Sequence, residues 1–164
     1  MSQLTGLLEQ ISDWIQHYNS EEWKQVNLAP GLSRDQIDKY LEGKSFTFPE
    51  EIIELYQWRN GTGYGSFFVS PESSYDEQEF HSLATGLGYG EEWEEAYCPG
   101  THLLGLFTLE GTQYWTILPD TPQEFAPIYV SDDPDFDTTS PSYPSLAAML
   151  EKKIPRLKFV WKIE

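Results

Sequence analysis

Asp133, Asp135 and Asp137 have the alternate spacing that opens a calcium loop, where a hard cation takes oxygen ligands. The rest of that loop fails: Thr138 stands at position six, where glycine makes the sharp turn, and Pro144 at position twelve, where a bidentate glutamate closes the shell. The run therefore reads as a solvated acidic loop, and neither a metal nor another cofactor is expected. For nucleophilic chemistry the chain offers Cys98, followed by Pro99, and the histidines His17, His81 and His102. A Cys–His pair among these meets only through the fold, and His102, at the start of an apolar run, reads as a packed or hydrogen-bonded histidine. The runs Gly61-x-Gly63-x-Gly65 and Gly86-x-Gly88-x-Gly90 lack the phosphate-binding GxGxxG spacing and read as plain loops. No GxxxxGK[ST], GxSxG or HExxH occurs. Paired-carboxylate hydrolysis depends on a separation in space that sequence does not display, so with 27 Asp and Glu a hydrolase stays open as an alternative. The expectation is a protein that is not an enzyme.

Recognition chemistry is better represented. Aromatic residues make up 15% of the chain, and aromatic anchors ringed by polar groups are how partner surfaces are built. Tyr56, Trp58, Tyr114 and Trp115 are expected to fill or border the core. Tyr64, Trp93 and Tyr97, set among glycines and carboxylates, are expected on an exposed recognition face. Glu91, Glu92, Glu94 and Glu95 surround Trp93, and Asp132, Asp133, Asp135 and Asp137 supply a second acidic segment. The net charge is −17, and from Asn60 to Glu151 there is no Lys or Arg, against sixteen Asp and Glu. Such a body repels nucleic acid, whose binding rests on neutralising phosphates with Lys and Arg, and attracts a basic protein.

The elements that must position these residues are legible in part. Leu4, Leu7, Leu8, Ile11 and Ile15 fall at helical spacing, which predicts an amphipathic helix over residues 3–17. Ser33-Arg34-Asp35-Gln36 reads as a capping box, with Leu32 and Ile37 as its staple and Gly43 ending the helix it starts. In FTFPEEIIELYQWRNG, Phe46 to Gly61, Pro49 suits the first helical position. Glu50 and Glu51 meet the positive end of the helix dipole, Ile52, Leu55 and Tyr56 make an apolar stripe, and Asn60-Gly61 closes the helix.

Strands are expected at Ser66 to Ser70, His102 to Leu109, Gln113 to Leu118 and Ala126 to Val130, the middle two as a hairpin through Gly111. Glu91 to Tyr97 and Ser145 to Leu150 read as short helices. Leu157, Phe159, Trp161 and Ile163 alternate with basic residues, which predicts a terminal strand over 156–163. Helices ahead of neighbouring strands give an α+β fold with a mainly antiparallel sheet flanked by N-terminal helices. No run approaches the ~20 apolar residues of a membrane span. Met1 to Gln10 lacks the pattern of a signal peptide, and the single cysteine rules out an intramolecular disulfide. A single-domain, cytoplasmic protein is expected.

The Pro-Glu helix start, the Ile/Leu/Tyr stripe and the closing aromatic-x-Asn-Gly resemble the SUKH superfamily, which includes fungal cell-wall assembly regulators of the Smi/Knr type and bacterial immunity proteins. LSRDQI upstream, and Phe67-Phe68, the strands around Gly111, PIYVSDD and SLAAMLE downstream, fall in that family's order. The resemblance covers residues 30–151, and it makes the 3–17 helix and the basic 156–163 strand additions to a single SUKH-like domain. It implies a non-catalytic protein-binding module. A toxin immunity protein that occupies a cognate toxin domain is its sharpest form, and a regulatory or scaffold protein the other.

Overall fold

The computed structural model describes residues 2–18, 30–64, 79–109, 111–131 and 138–160. The expected strand at 66–70 and the acidic segment Asp132 to Asp137 lie outside the described residues.

Among the described residues, three helices precede the sheet: α1 (Gln3–Tyr18), α2 (Arg34–Lys39) and α3 (Glu50–Trp58). The stripe of α1 buries Leu4, Leu8 and Ile11, as its spacing predicts. Ser33 caps α2 as expected: its hydroxyl accepts from Gln36 N at 3.1 Å, and Gln36 Oε1 accepts from Ser33 N at 2.9 Å. Pro49 stands one residue ahead of its expected place, at the N-cap of α3. The backbone carbonyls of Gln123 and Glu124 accept from Glu50 N and Glu51 N, two N–H groups that no helical partner reaches. Tyr56 is fully buried and its hydroxyl donates to His81 O at 3.1 Å.

The sheet is antiparallel, in the order β1 (Gly63–Tyr64), β2 (Glu79–Phe80), β3 (Leu103–Leu109), β4 (Thr112–Ile117), β5 (Ile128–Ser131). The expected hairpin is β3–β4, turned at Gly111 with a φ of 80°. Its two faces differ. One face contributes Leu104, Leu106, Phe107, Tyr114 and Ile128 to the main core, shared with α1, α3 and the C-terminal helix α5 (Leu146–Val160). The opposite face carries a smaller cluster of Leu103, Trp115 and Tyr129, over which α4 (Leu83–Tyr97) lies. The fold is thus α+β, with helices on both sides of the sheet. None of the described helices is long and apolar enough to cross a membrane.

Three expectations are overturned. Gly63 and Tyr64, in a glycine run read as a plain loop, form β1 against β2. The terminal strand over 156–163 is not formed: α5 runs on through Pro155 to Val160, and 161–164 lie outside the described residues. Leu146, Leu150, Ile154 and Leu157 also recur at helical spacing, and a helix already nucleated and packed at Leu146 and Leu150 continues through Pro155 despite the roughly 3 kcal/mol that an interior proline costs. The run Gly86-x-Gly88-x-Gly90 is not a loop, and the helix expected at Glu91 to Tyr97 begins eight residues earlier, at Leu83. Three glycines weigh against a helix by about 1 kcal/mol each relative to alanine, so contact with the sheet decides the matter. A Cβ on Gly86 would lie 2.2 Å from Gly105 O, and one on Gly90 1.9 Å from Leu103 O. Gly86 and Gly90, four residues apart on one helix face, are therefore where the backbone of α4 touches that of β3. Its start is fixed by Ser82, whose hydroxyl accepts from Thr85 N at 3.2 Å, and by Asn60 Oδ1, which accepts from Leu83 N at 3.0 Å.

Candidate functional site

Because α4 is held against β3 through Gly86 and Gly90, its C-terminal half and strands β2, β3 and β4 enclose a cleft of about 640 Å³. The floor is the sheet face. Register puts Glu79 beside Thr108, Thr108 beside Gln113 and Gln113 beside Ser131, a polar row across four strands, with Tyr64 paired to Glu79 at its outer edge. An irregularity between Gly105 and Phe107 resets the alternation of β3, so that Phe107 enters the core and Thr108 faces the cleft. Bulges next to sites commonly re-aim side chains in this way.

His81 anchors one end of the floor at 2% exposure. Its backbone N–H donates to Leu106 O at 2.9 Å and its carbonyl accepts from Tyr56. Its Nε2 lies 3.0 Å from Thr108 Oγ1, and that hydroxyl oxygen accepts from Gln113 Nε2 at 2.7 Å. Its Nδ1 faces Glu79 Oε2 at 3.4 Å but makes no hydrogen bond among the described residues. Burial pushes the His81 pKa below its ordinary value, against the opposing pull of the Glu79 carboxylate. Tyr89 stands edge-on over the imidazole at 5.1 Å.

The wall is α4. Trp93 and Tyr97, one turn apart, pack at 4.6 Å between centroids with planes inclined by 47°, and Trp93 continues onto Trp115 at 5.3 Å. Tyr97 is half exposed at the rim. Glu92 adds a second carboxylate to that of Glu79, and no Lys or Arg is among the described lining residues.

The expected recognition residues are thus divided by the helix. Glu92, Trp93 and Tyr97 line the cleft, on a helix that starts eight residues before the expected one. Glu91 and Glu94 line a smaller depression of about 270 Å³ with Phe46 and His102. Glu95 is exposed and lines neither. For Tyr64 the described feature is its backbone pairing with Glu79. Asp132, Asp133, Asp135 and Asp137 lie outside the described residues. Glu79, His81, Tyr89, Thr108, Gln113 and Trp115 went unread as site residues. The available signal was the i, i+4 spacing of Gly86 and Gly90, which marks a helix face made for close backbone approach.

The remaining nucleophiles are poorly placed. Burial, and then the Glu94 carboxylate, raise the Cys98 pKa, so the thiol stays protonated at neutral pH. His102 has Ser45 Oγ 3.3 Å from Nε2 and Glu94 Oε2 3.8 Å from Nδ1. That order suits a proton relay, yet the carboxylate contact exceeds hydrogen-bond length, Ser45 is exposed and His102 is only partly buried. Such a relay lacks the dry setting in which developing charge is stabilised. Among the described residues no three His, Cys, Asp or Glu side chains are grouped to hold a metal.

No protein-family model matches this sequence, and a search of curated proteins finds no match.

Proposed function

We propose that the protein is a non-catalytic protein-binding module that receives part of a basic partner in the cleft between α4 and the sheet. The observation that carries this reading is the cleft's lining: exposed and half-buried aromatic rings beside two carboxylates, with no Lys or Arg among the described lining residues. Rings supply contact area at small entropic cost. Uncompensated carboxylates steer a cationic partner and repel others. The SUKH resemblance supports the same class, and within it the sharpest version is a cytoplasmic immunity protein that occupies a basic toxin domain. A regulatory adaptor is its sibling reading.

Affinity capture with the intact chain, repeated with Glu92→Lys and Tyr97→Ala, tests the proposal. Both positions are exposed on a helix, so the variants fold. The expected result is a basic protein retained by the parent, weakened by each variant and released by rising salt. A partner held equally by parent and variants would place recognition elsewhere. For the immunity version, co-expression with the captured partner rescues growth that the partner alone arrests.

A further inference from the structure

We propose that the cleft is a socket for one guanidinium group, the head of an arginine side chain on the partner. This rests on the partner-binding reading above and names what the partner inserts.

The acceptors stand on different elements. Glu79 comes from β2, with its side chain 22% exposed, and Glu92 from α4. Between them the floor offers His81. Thr108 Oγ1 has two lone pairs and accepts from Gln113 Nε2. His81 Nε2 lies 3.0 Å from that hydroxyl, and Nδ1 faces the Glu79 carboxylate at 3.4 Å without hydrogen-bond alignment. The Glu79 carboxylate, 22% exposed and with no Lys or Arg among the described lining residues, keeps lone pairs that call for a donor from outside. A guanidinium carries five N–H donors in a planar fork, whereas an ammonium carries three on a compact, strongly hydrated head. The flat cation also finds the Trp93 and Tyr97 rings, inclined at 47°, to stack on. A buried neutral imidazole does not repel it.

Small probes test this on the intact chain: N-acetyl-arginine methylamide, its lysine counterpart and its citrulline counterpart, titrated by NMR at low salt. The expected result is saturable binding of the arginine probe, with shifts at the Trp93 indole and the His81 ring. Citrulline, planar but uncharged, binds at least about tenfold more weakly, and lysine several-fold more weakly, as the loss of charge or of the planar fork requires. Glu92→Gln and Tyr97→Ala each lower arginine affinity about fivefold, the scale of one exposed charge or ring contact. No binding of the arginine probe, or equal response to all three probes, overturns the inference. If the probes fail while partner capture still depends on Glu92 and Tyr97, the socket is wrong and the binding module stands. If capture ignores both residues, the module reading itself falls.

Discussion

The carboxylate of Glu51 accepts a hydrogen bond from the backbone N–H of Leu146 at 3.0 Å, across 95 residues of sequence. It also accepts from Ala147 N at 2.9 Å and from Ala126 N at 2.7 Å, all within the core. One side chain on the first turn of α3 thereby caps the start of α5 and ties down the approach to β5. Hydrogen bonds to a charged acceptor contribute about 1.5–3 kcal/mol each, and buried N–H groups left without partners cost more than the bonds alone. Glu51→Ala is therefore expected to lose on the order of 3 kcal/mol or more, which at this chain length lowers Tm by roughly 6–12 °C. Glu51→Gln, which keeps one acceptor oxygen, falls between. Thermal melts followed by circular dichroism give both values, and an unchanged Tm for Glu51→Ala would contradict the capping role.

The glycines of α4 make opposite predictions within one helix. Gly90→Ala drives a methyl to 1.9 Å from Leu103 O, so α4 must lift from β3, at a cost of about 1–3 kcal/mol or more. Gly88 has nothing within 4 Å of an added Cβ. Gly88→Ala should stabilise by about 0.5–1 kcal/mol through helix propensity alone. Urea denaturation of the two variants separates them, and destabilisation by both would mean that Gly88 is not on the open side.

His81 gives a pH dependence with a definite sign. Its folded pKa lies below the ordinary value of about 6.5, so in the window beneath that value the unfolded chain binds the extra proton more readily than the folded one. The contribution is fully present above pH 6.5 and is lost as pH falls. Of the groups facing the ring, Glu79 on β2 opposes the effect as a carboxylate, and Tyr89 on α4 packs edge-on against it. Tm measured from pH 7.5 to 5 should fall in the parent and fall less in His81→Gln. Parallel curves would show that the imidazole is not titrating with folding.

Tyr56 separates packing from hydrogen bonding. Tyr56→Ala removes a fully buried ring and should cost about 3–5 kcal/mol. Tyr56→Phe removes only the bond to His81 O, about 1 kcal/mol. Because that carbonyl belongs to the residue at the end of the cleft floor, the Phe variant should also shift the His81 ring resonances. A silent His81 spectrum would argue against the link.

Local signals proved readable where a residue acts on its own neighbourhood. Ser33 and Gln36 cap α2, the stripe of α1 is buried, and the hairpin turns at Gly111, all through contacts a few residues apart. Partnerships made only in space were not readable. Glu51 looked like an acid at the head of its own helix, while its carboxylate serves the start of another. The helix through Gly86 was hidden because its propensity is poor and its justification lies on β3. Most of the site was missed for the same reason: Thr108 and Gln113 read as ordinary strand residues until the register set them in one row with Glu79. The alternation of Leu157 and Phe159 misled because the same stretch also carries helical spacing.

The contact of Gly86 and Gly90 with β3 sets the gap between helix and sheet by main chain against main chain, and the cleft inherits its width from that gap. Glu92 and Tyr97 lie outside that main-chain contact, exposed on the helix wall. Exchanging them alters what is admitted without altering the opening. A lineage under pressure to follow a changing partner could rewrite this surface one substitution at a time, each step leaving the protein folded.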